Sequence, residues 1–257
     1  MTDMTHYLAG VADAWQESWD RQQEAYLPDR EHRIAALLDA VAAVTPDGRP
    51  RLLDLAGGTG AIALRALARF PSAQVTVVDQ DPVLLALAGA ALDGRARIVG
   101  ADLSRPSWTD ALPHRDYDAV LTATALHWLE PERLGGLYGE IRGVLRAGGL
   151  FVNADHMPDQ GLPELTKKLL TTADVRREAR YATGAALSWG DWWTRVAADP
   201  LLAPLYAERE KIYPTGHGSA EWTPPADWHL AALRAAGFTE AGLLWRDGAD
   251  AAVAALA

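Results

Sequence analysis

Apolar positions along this 257-residue chain recur first at helical and then at strand spacings, and the alternation predicts the architecture. Residues 11–27, VADAWQESWDRQQEAYL, carry apolar and aromatic groups at three- and four-residue intervals, which predicts an N-terminal helix closed by Pro28. A second helix is predicted over 29–44, with Asp29 at the N-cap and Pro46-Asp47-Gly48 as its stop. The period then shortens. RLLDLA (51–56) is a short apolar run that breaks into Gly57-Gly58-Thr59-Gly60 and then into the helical AIALRALARF, closed by Pro71. QVTVVD (74–79), ARIVGAD (96–102), YDAVLTAT (117–124) and LFVNAD (150–155) read as further strands. Helical DPVLLALAGAAL and PERLGGLYGEIRGVLR lie between them, the second broken by Gly148-Gly149. Strands joined through helices close only as a mainly parallel, doubly wound sheet with helices on both faces.

From 156 to 223 the alternation lapses into two helical patterns and an aromatic cluster of Trp189, Trp192, Trp193, Tyr206, Tyr213 and Trp222. It then resumes with a helix over 224–237, a strand over 241–247 and a last strand over 250–257 after an Asp247-Gly248 turn. The expected organisation is an N-terminal helical cap (1–49), a core (50–155 and 224–257) and an inserted aromatic-rich segment (156–223). That insertion serves either as a lid over a ligand site or as a homodimer face.

Composition narrows the function. Hydrophobic residues at 49% and charged residues at 23% mark a chain that folds. A net charge of −10 with no basic patch opposes nucleic-acid binding. The absence of cysteine removes disulfides, thiolate metal sites and thiol nucleophiles, and with them pyrimidine C5 methylation by thiol addition. There is no basic stretch followed by an apolar run at the N-terminus and no window of 18 apolar residues, so the expectation is a cytoplasmic protein without a membrane partner. His127, His156, His217 and His229 share no metal-ligand spacing, and a metal-independent reaction is expected.

Ligands of a doubly wound sheet bind outside the carboxyl ends of its strands, where strand order reverses. Gly58-Thr59-Gly60-Ala61-Ile62-Ala63 fits G-x-G-x-x-A, and Asp79 lies 19 residues beyond Gly60 at the end of the second strand. Glycines admit a ligand to the backbone, and the carboxylate can accept from two ribose hydroxyls. These features suit NAD, FAD and S-adenosylmethionine alike.

Leu53-Asp54-Leu55-Ala56-Gly57-Gly58-Thr59-Gly60, Val77-Val78-Asp79, Ala101-Asp102-Leu103, Thr124-Ala125-Leu126-His127-Trp128-Leu129 and Leu145-Arg146-Ala147-Gly148-Gly149-Leu150 follow one another in order. Together they resemble the successive signatures of the class I S-adenosylmethionine-dependent methyltransferases, in particular small-molecule enzymes similar to trans-aconitate methyltransferase. The resemblance implies a Rossmann-like seven-stranded sheet with an antiparallel last strand. It implies cofactor contacts at Asp54, Ala56, Gly57, Gly58, Gly60 and Thr124, ribose binding by Asp79 beside Gln80, adenine contacts near Asp102 and Leu103, and S-adenosylhomocysteine as product. Ala56 departs from the pattern, standing where the family usually has its first glycine. A sulfonium cation without phosphate also suits an acidic, aromatic-walled site better than a pyrophosphate does. Asp81, next to Pro82, is as well explained as a helix cap as by ligand contact.

Methyl transfer needs alignment in a dry site, and a base where the acceptor carries a proton. His127 after the fourth strand is a candidate base or an anchor for the loop beside the cofactor; Asp155 and His156 after the fifth are the other base candidates or a hinge. The default for the aromatic stripes is core packing. Beside it, Tyr7, Trp15, Trp19 and Tyr26 are candidates to cover the cleft, Trp19 and Tyr26 toward the cofactor and Tyr7 and Trp15 toward the acceptor. Trp128, Trp189, Trp192 and Trp193 would wall an apolar or planar small-molecule acceptor; Trp228-His229 reads as structural.

The leading expectation is methyl transfer to oxygen or nitrogen of a small molecule, of the kind found in secondary metabolism. Cofactor cyclisation or cleavage on the same fold is an alternative, since fold does not fix function. A nicotinamide-dependent oxidoreductase of the short-chain type would want Tyr-x-x-x-Lys, but Pro163, Glu164 and Ala207 stand four residues before Lys167, Lys168 and Lys211. DNA amino-methylation wants an Asp/Asn-Pro-Pro-aromatic element, and Thr122-Ala123-Thr124-Ala125 is not one.

Overall fold

β1 (Arg51–Leu55) has Leu52, Leu53 and Leu55 buried, so both of its faces must be covered. In the computed structural model, which describes residues 2–214 and 221–257 with side chains from residue 10 onward, β1 lies inside a seven-stranded sheet. The order is β3-β2-β1-β4-β5-β7-β6. β2 (Gln74–Asp79), β3 (Ala96–Gly100), β4 (Tyr117–Ala123) and β5 (Leu145–His156) form its parallel part. β7 (Asp250–Leu256) runs antiparallel to both β5 and β6 (Glu240–Asp247). Strand order reverses between β1 and β4, which opens the ligand crevice at their carboxyl ends.

One face of the sheet is covered by α5 (Pro131–Val144) and α9 (Ala226–Ala235) through Leu134, Leu137, Ile141 and Leu233. The other is covered by α2 (Arg30–Val44), α3 (Ala61–Arg69) and α4 (Pro82–Leu92) through Leu37, Val41, Ile62, Leu67 and Leu92. A third cluster joins α1 (Thr2–Tyr26), α4 and α7 (Trp189–Ala198) through Trp15, Trp19, Leu84, Leu87, Trp192 and Trp193. No helix among the described residues is long and apolar enough to cross a membrane.

Several local expectations are corrected. α1 begins at Thr2, not residue 11, because no proline interrupts the chain before Pro28 and a nucleated helix propagates. Asp29 does not cap α2: its backbone is left-handed (φ 61°) and its carboxylate faces His32 instead. The cap comes from Glu24, whose carboxylate accepts from the N–H groups of Asp29 (3.0 Å) and Arg30 (2.9 Å). α5 stops at Val144, and Gly148-Gly149 lie within β5. A Cβ on Gly149 would sit 2.9 Å from the Arg146 carbonyl oxygen and 3.0 Å from that of Tyr117, so only glycine lets the strand kink while it stays paired. The insertion carries three helices, not two: α6 (Pro163–Ala182), α7 and α8 (Ala203–Ile212).

Candidate functional site

The turn after β1 is set by contact distances. Gly57 donates to the Val78 carbonyl (3.0 Å) and Gly60 to that of Gly57 (2.8 Å). A Cβ on Gly57 would lie 2.7 Å from Asp54 Cγ, and one on Gly60 2.8 Å from Leu92 Cδ1. Gly58 and Gly60 are left-handed (φ 55° and 76°), and so is Ala56 (φ 52°), an alanine in a conformation that costs it about 1–2 kcal/mol.

Under this turn Asp54 is buried; one oxygen accepts from Ala63 N–H (3.0 Å) and the other has no partner. Burial pushes its carboxyl up to about 7. Asp79, at the end of β2, accepts from the N–H groups of Gly58 (2.9 Å), Gln80 (2.7 Å) and Asp81 (2.9 Å). Desolvation nevertheless lifts it to about 6. Asp81 caps α4 through Val83 and Leu84, as one reading of the sequence allowed, and its second oxygen holds Arg209 Nε at 2.7 Å.

Beyond β3, an open hollow of about 580 Å³ is lined by Gln80, Gly100, Ala101, Asp102, Ser104 and Ile212. Leu103, expected to touch the cofactor, faces inward: its side chain is in the core and its carbonyl accepts from Arg133 Nε. α8 reaches over this end of the crevice. The Arg209 guanidinium lies 3.6 Å from the Trp193 ring centroid and 4.9 Å from that of Tyr213.

α1 covers the centre. Trp19 Cζ2 lies 3.8 Å from where a Gly58 Cβ would be. One turn later Gln23 Oε1 meets Thr124 Oγ1 at 3.2 Å. Thr124 is itself left-handed (φ 53°), a genuine outlier for a β-branched residue.

At the far end, His127 and Asp155 are both buried, with Nδ1 and Oδ1 2.8 Å apart. Burial pulls the His127 ring down, but its bond to Asp155 and that carboxylate's charge outweigh it and raise the imidazole above its ordinary value. Desolvation works against Asp155, but His127 holds it below the usual carboxylate range. His156 Nδ1 pairs with Asp250 Oδ1 at 2.6 Å. The Tyr26 ring lies 4.9 Å from that of His156 and 6.3 Å from that of His127, and its hydroxyl donates to Glu221 (2.9 Å). Tyr26, expected toward the cofactor, is therefore placed against the two histidines. Trp128 is 45% exposed, its ring 5.0 Å from His127.

The remaining aromatic candidates divide. Trp15, Trp192 and Trp193 are buried in the cluster that joins α1, α4 and α7, so the default of core packing holds for them, against the alternatives of cleft cover for Trp15 and an acceptor wall for Trp192 and Trp193; Trp189 keeps 44% of its surface open. The side chain of Tyr7 and all of His217 lie outside the described residues. His229 pairs with the Tyr138 hydroxyl at 2.6 Å and is pushed down to about 4 by burial, a structural contact. No group of three metal-ligating side chains occurs among the described residues. Sequence reasoning missed Gln23, Arg209, Tyr213, Glu221 and Asp250. Arg209 and Asp81 lie 128 residues apart, with no motif to link them.

Residues 52–149 match the methyltransferase domain family. Trans-aconitate 2-methyltransferase of Methylobacterium radiotolerans is 31% identical over 216 residues, covering 82% of this chain and 77% of that protein. The chain belongs to the class I S-adenosylmethionine-dependent methyltransferases. Trans-aconitate 2-methyltransferase of Streptomyces avermitilis is 34% identical over 119 residues, but that match spans only 42% of the relative's length and 44% of this chain. The fold agrees with the methyltransferase SibL in its apo form: TM-score 0.51, 23% identity, coverage of 88% of this chain and 56% of that one.

The cofactor of this methyltransferase family is S-adenosylmethionine, and the residues present fit it. The turn has no room for a Cβ at Gly57, Asp54 keeps a buried oxygen without a partner, and the surrounding acidic groups suit a cation.

Proposed function

We propose that this methyltransferase moves a methyl group to oxygen or nitrogen of a small molecule without a metal, with His127 as base. The carrying observation is the buried pair of His127, in the turn after β4, with Asp155 of β5, one strand from the glycine turn. S-adenosylmethionine, when bound, supplies a methyl carbon activated by its sulfonium. Asp79 would hold the ribose, the 56–60 turn would admit the nucleoside, and the hollow beside Asp102 would take the adenine. Asp155 accepts from Nδ1–H of His127, which fixes the tautomer and leaves Nε2 to take the acceptor's proton as the new bond to carbon forms. Residues 156–223 act as the lid, docked by Arg209 on Asp81, and exclude water. The name carried by two relatives supports a small-molecule acceptor.

Calorimetry with S-adenosylhomocysteine, followed by a screen of phenols, amines and carboxylates with product analysis, tests this. Saturable binding that Asp79→Ala loses, S-adenosylhomocysteine as product and a rate that His127→Ala lowers are expected. Methylthioadenosine as product would establish cyclisation or cleavage instead, and a folded protein that binds no cofactor would end the reading.

A further inference from the structure

The inward stripe of α1 is not uniformly apolar. Ala12, Trp15 and Trp19 share it with Gln16, Gln22 and Gln23, all buried. A buried amide lowers stability unless its donors and acceptors are met, so glutamines here need a reason. Gln23 is placed one turn beyond the tryptophan that covers Gly58 and against Thr124 at the end of β4, between the glycine turn and His127.

Its bonding is incomplete. Gln23 Nε2 donates to Gln22 Oε1 at 2.7 Å. Thr124 Oγ1 has one proton and two acceptors within reach, the Ala123 carbonyl at 2.7 Å and Gln23 Oε1 at 3.2 Å. The Ala123 carbonyl holds the shorter of the two, so Thr124 gives Gln23 Oε1 only a long, shared bond and leaves its second lone pair and the second Nε2–H free to meet a ligand. Thr124 is held there in a left-handed conformation, and strain of this kind collects at ligand sites.

We propose that Gln23, positioned by Gln22 and Thr124, anchors the amino-acid end of the cofactor. The proposal rests on the cofactor reading given above. That end is a zwitterion, and an amide offers one acceptor for the ammonium and one donor for the carboxylate without adding charge beside Asp54 and Asp79. Charge-assisted bonds of this type are the stronger class.

S-adenosylhomocysteine and methylthioadenosine share the nucleoside and the thioether, but only the first has the amino-acid chain. Calorimetric titration of the full chain with both separates anchoring from folding. Gln23→Ala is expected to weaken S-adenosylhomocysteine about tenfold or more while methylthioadenosine stays within about twofold. Gln23→Glu, which keeps the acceptor and loses the donor, is expected in between, and it carries the test should the alanine variant not fold. Equal loss for both ligands, or none for either, overturns the proposal. So does a wild-type protein that binds the two equally well, an outcome that leaves the cofactor reading standing; binding of neither removes both.

Discussion

His127, in the short turn that follows β4, and Asp155, near the end of the adjacent β5, meet with Nδ1 2.8 Å from Oδ1 and both side chains 3% exposed. The same carboxylate oxygen also accepts the N–H of His156 (2.9 Å), so Asp155 is fixed by the backbone and in turn fixes the ring.

The proposed role of His127 as base predicts a pH profile. A base acts when neutral, and His127 is raised above its ordinary 6.5, so turnover should climb with pH through a value above 6.5. Asp155→Asn should move this limb to lower pH and reduce the maximal rate by about 10²–10⁴. The stability contribution has two limits. Its histidine half is lost as pH rises through the raised His127 value, and its aspartate half as pH falls through the lowered Asp155 value. Rates from pH 5 to 9 and thermal melts from about pH 2 to 9 on both proteins check this; an unshifted limb in the variant would assign it to another group.

Ala56 makes a second test. Its φ of 52° costs an L-residue about 1–2 kcal/mol, and glycine returns about 0.5–1 kcal/mol of that as unfolded-state entropy. Ala56→Gly should stabilise by about 0.5–1 kcal/mol, a rise of about 1–4 °C in melting temperature. Gly57→Ala should do the opposite and abolish cofactor binding, because its Cβ would press on Asp54 Cγ at 2.7 Å.

The sheet was legible because its parallel strands are buried on both faces and read as apolar runs bounded by turns, as in QVTVVD. Asp54, Asp79 and the glycine turn were legible because backbone geometry forces particular residues at fixed spacings. What was hidden depends on distance in sequence. Nothing in the sequence pairs Arg209 with Asp81, 128 residues away. Aromatic side chains look alike whether they pack or bind, which is why the sequence left Trp192 open between core and acceptor wall and the structure places it in the core, while Tyr26, on α1 as expected, faces the histidines.

The Arg209–Asp81 bond is the tie between α8 and the start of α4, with side chains 14% and 4% exposed. Removing one partner of a buried pair leaves the other charge uncompensated, at about 3–5 kcal/mol; here the helix cap that Asp81 keeps reduces the loss toward the lower end. Arg209→Ala should therefore loosen α8 more than the sheet. Hydrogen exchange should rise over 199–213 and stay unchanged in β1 and β4; uniform acceleration would mean global destabilisation instead.

Asp79 links cofactor binding to pH with a definite sign. In the free protein desolvation lifts its carboxyl to about 6, above the unfolded value, so its contribution to folding is most favourable below pH 4 and declines as pH rises through 6. In the proposed contact the ribose hydroxyls would donate to the ionised carboxylate, so binding would favour the form that folding disfavours. Affinity for S-adenosylhomocysteine should be flat above about pH 6 and weaken below it by up to about tenfold per unit. Asp79→Asn keeps the shape and loses the charge; its affinity should be lower at pH 8 and nearly independent of pH. Titration calorimetry on both proteins between pH 5 and 8 decides it, and a variant that retains the wild-type pH dependence would place the titrating group elsewhere, with Asp54 at about 7 the next to test.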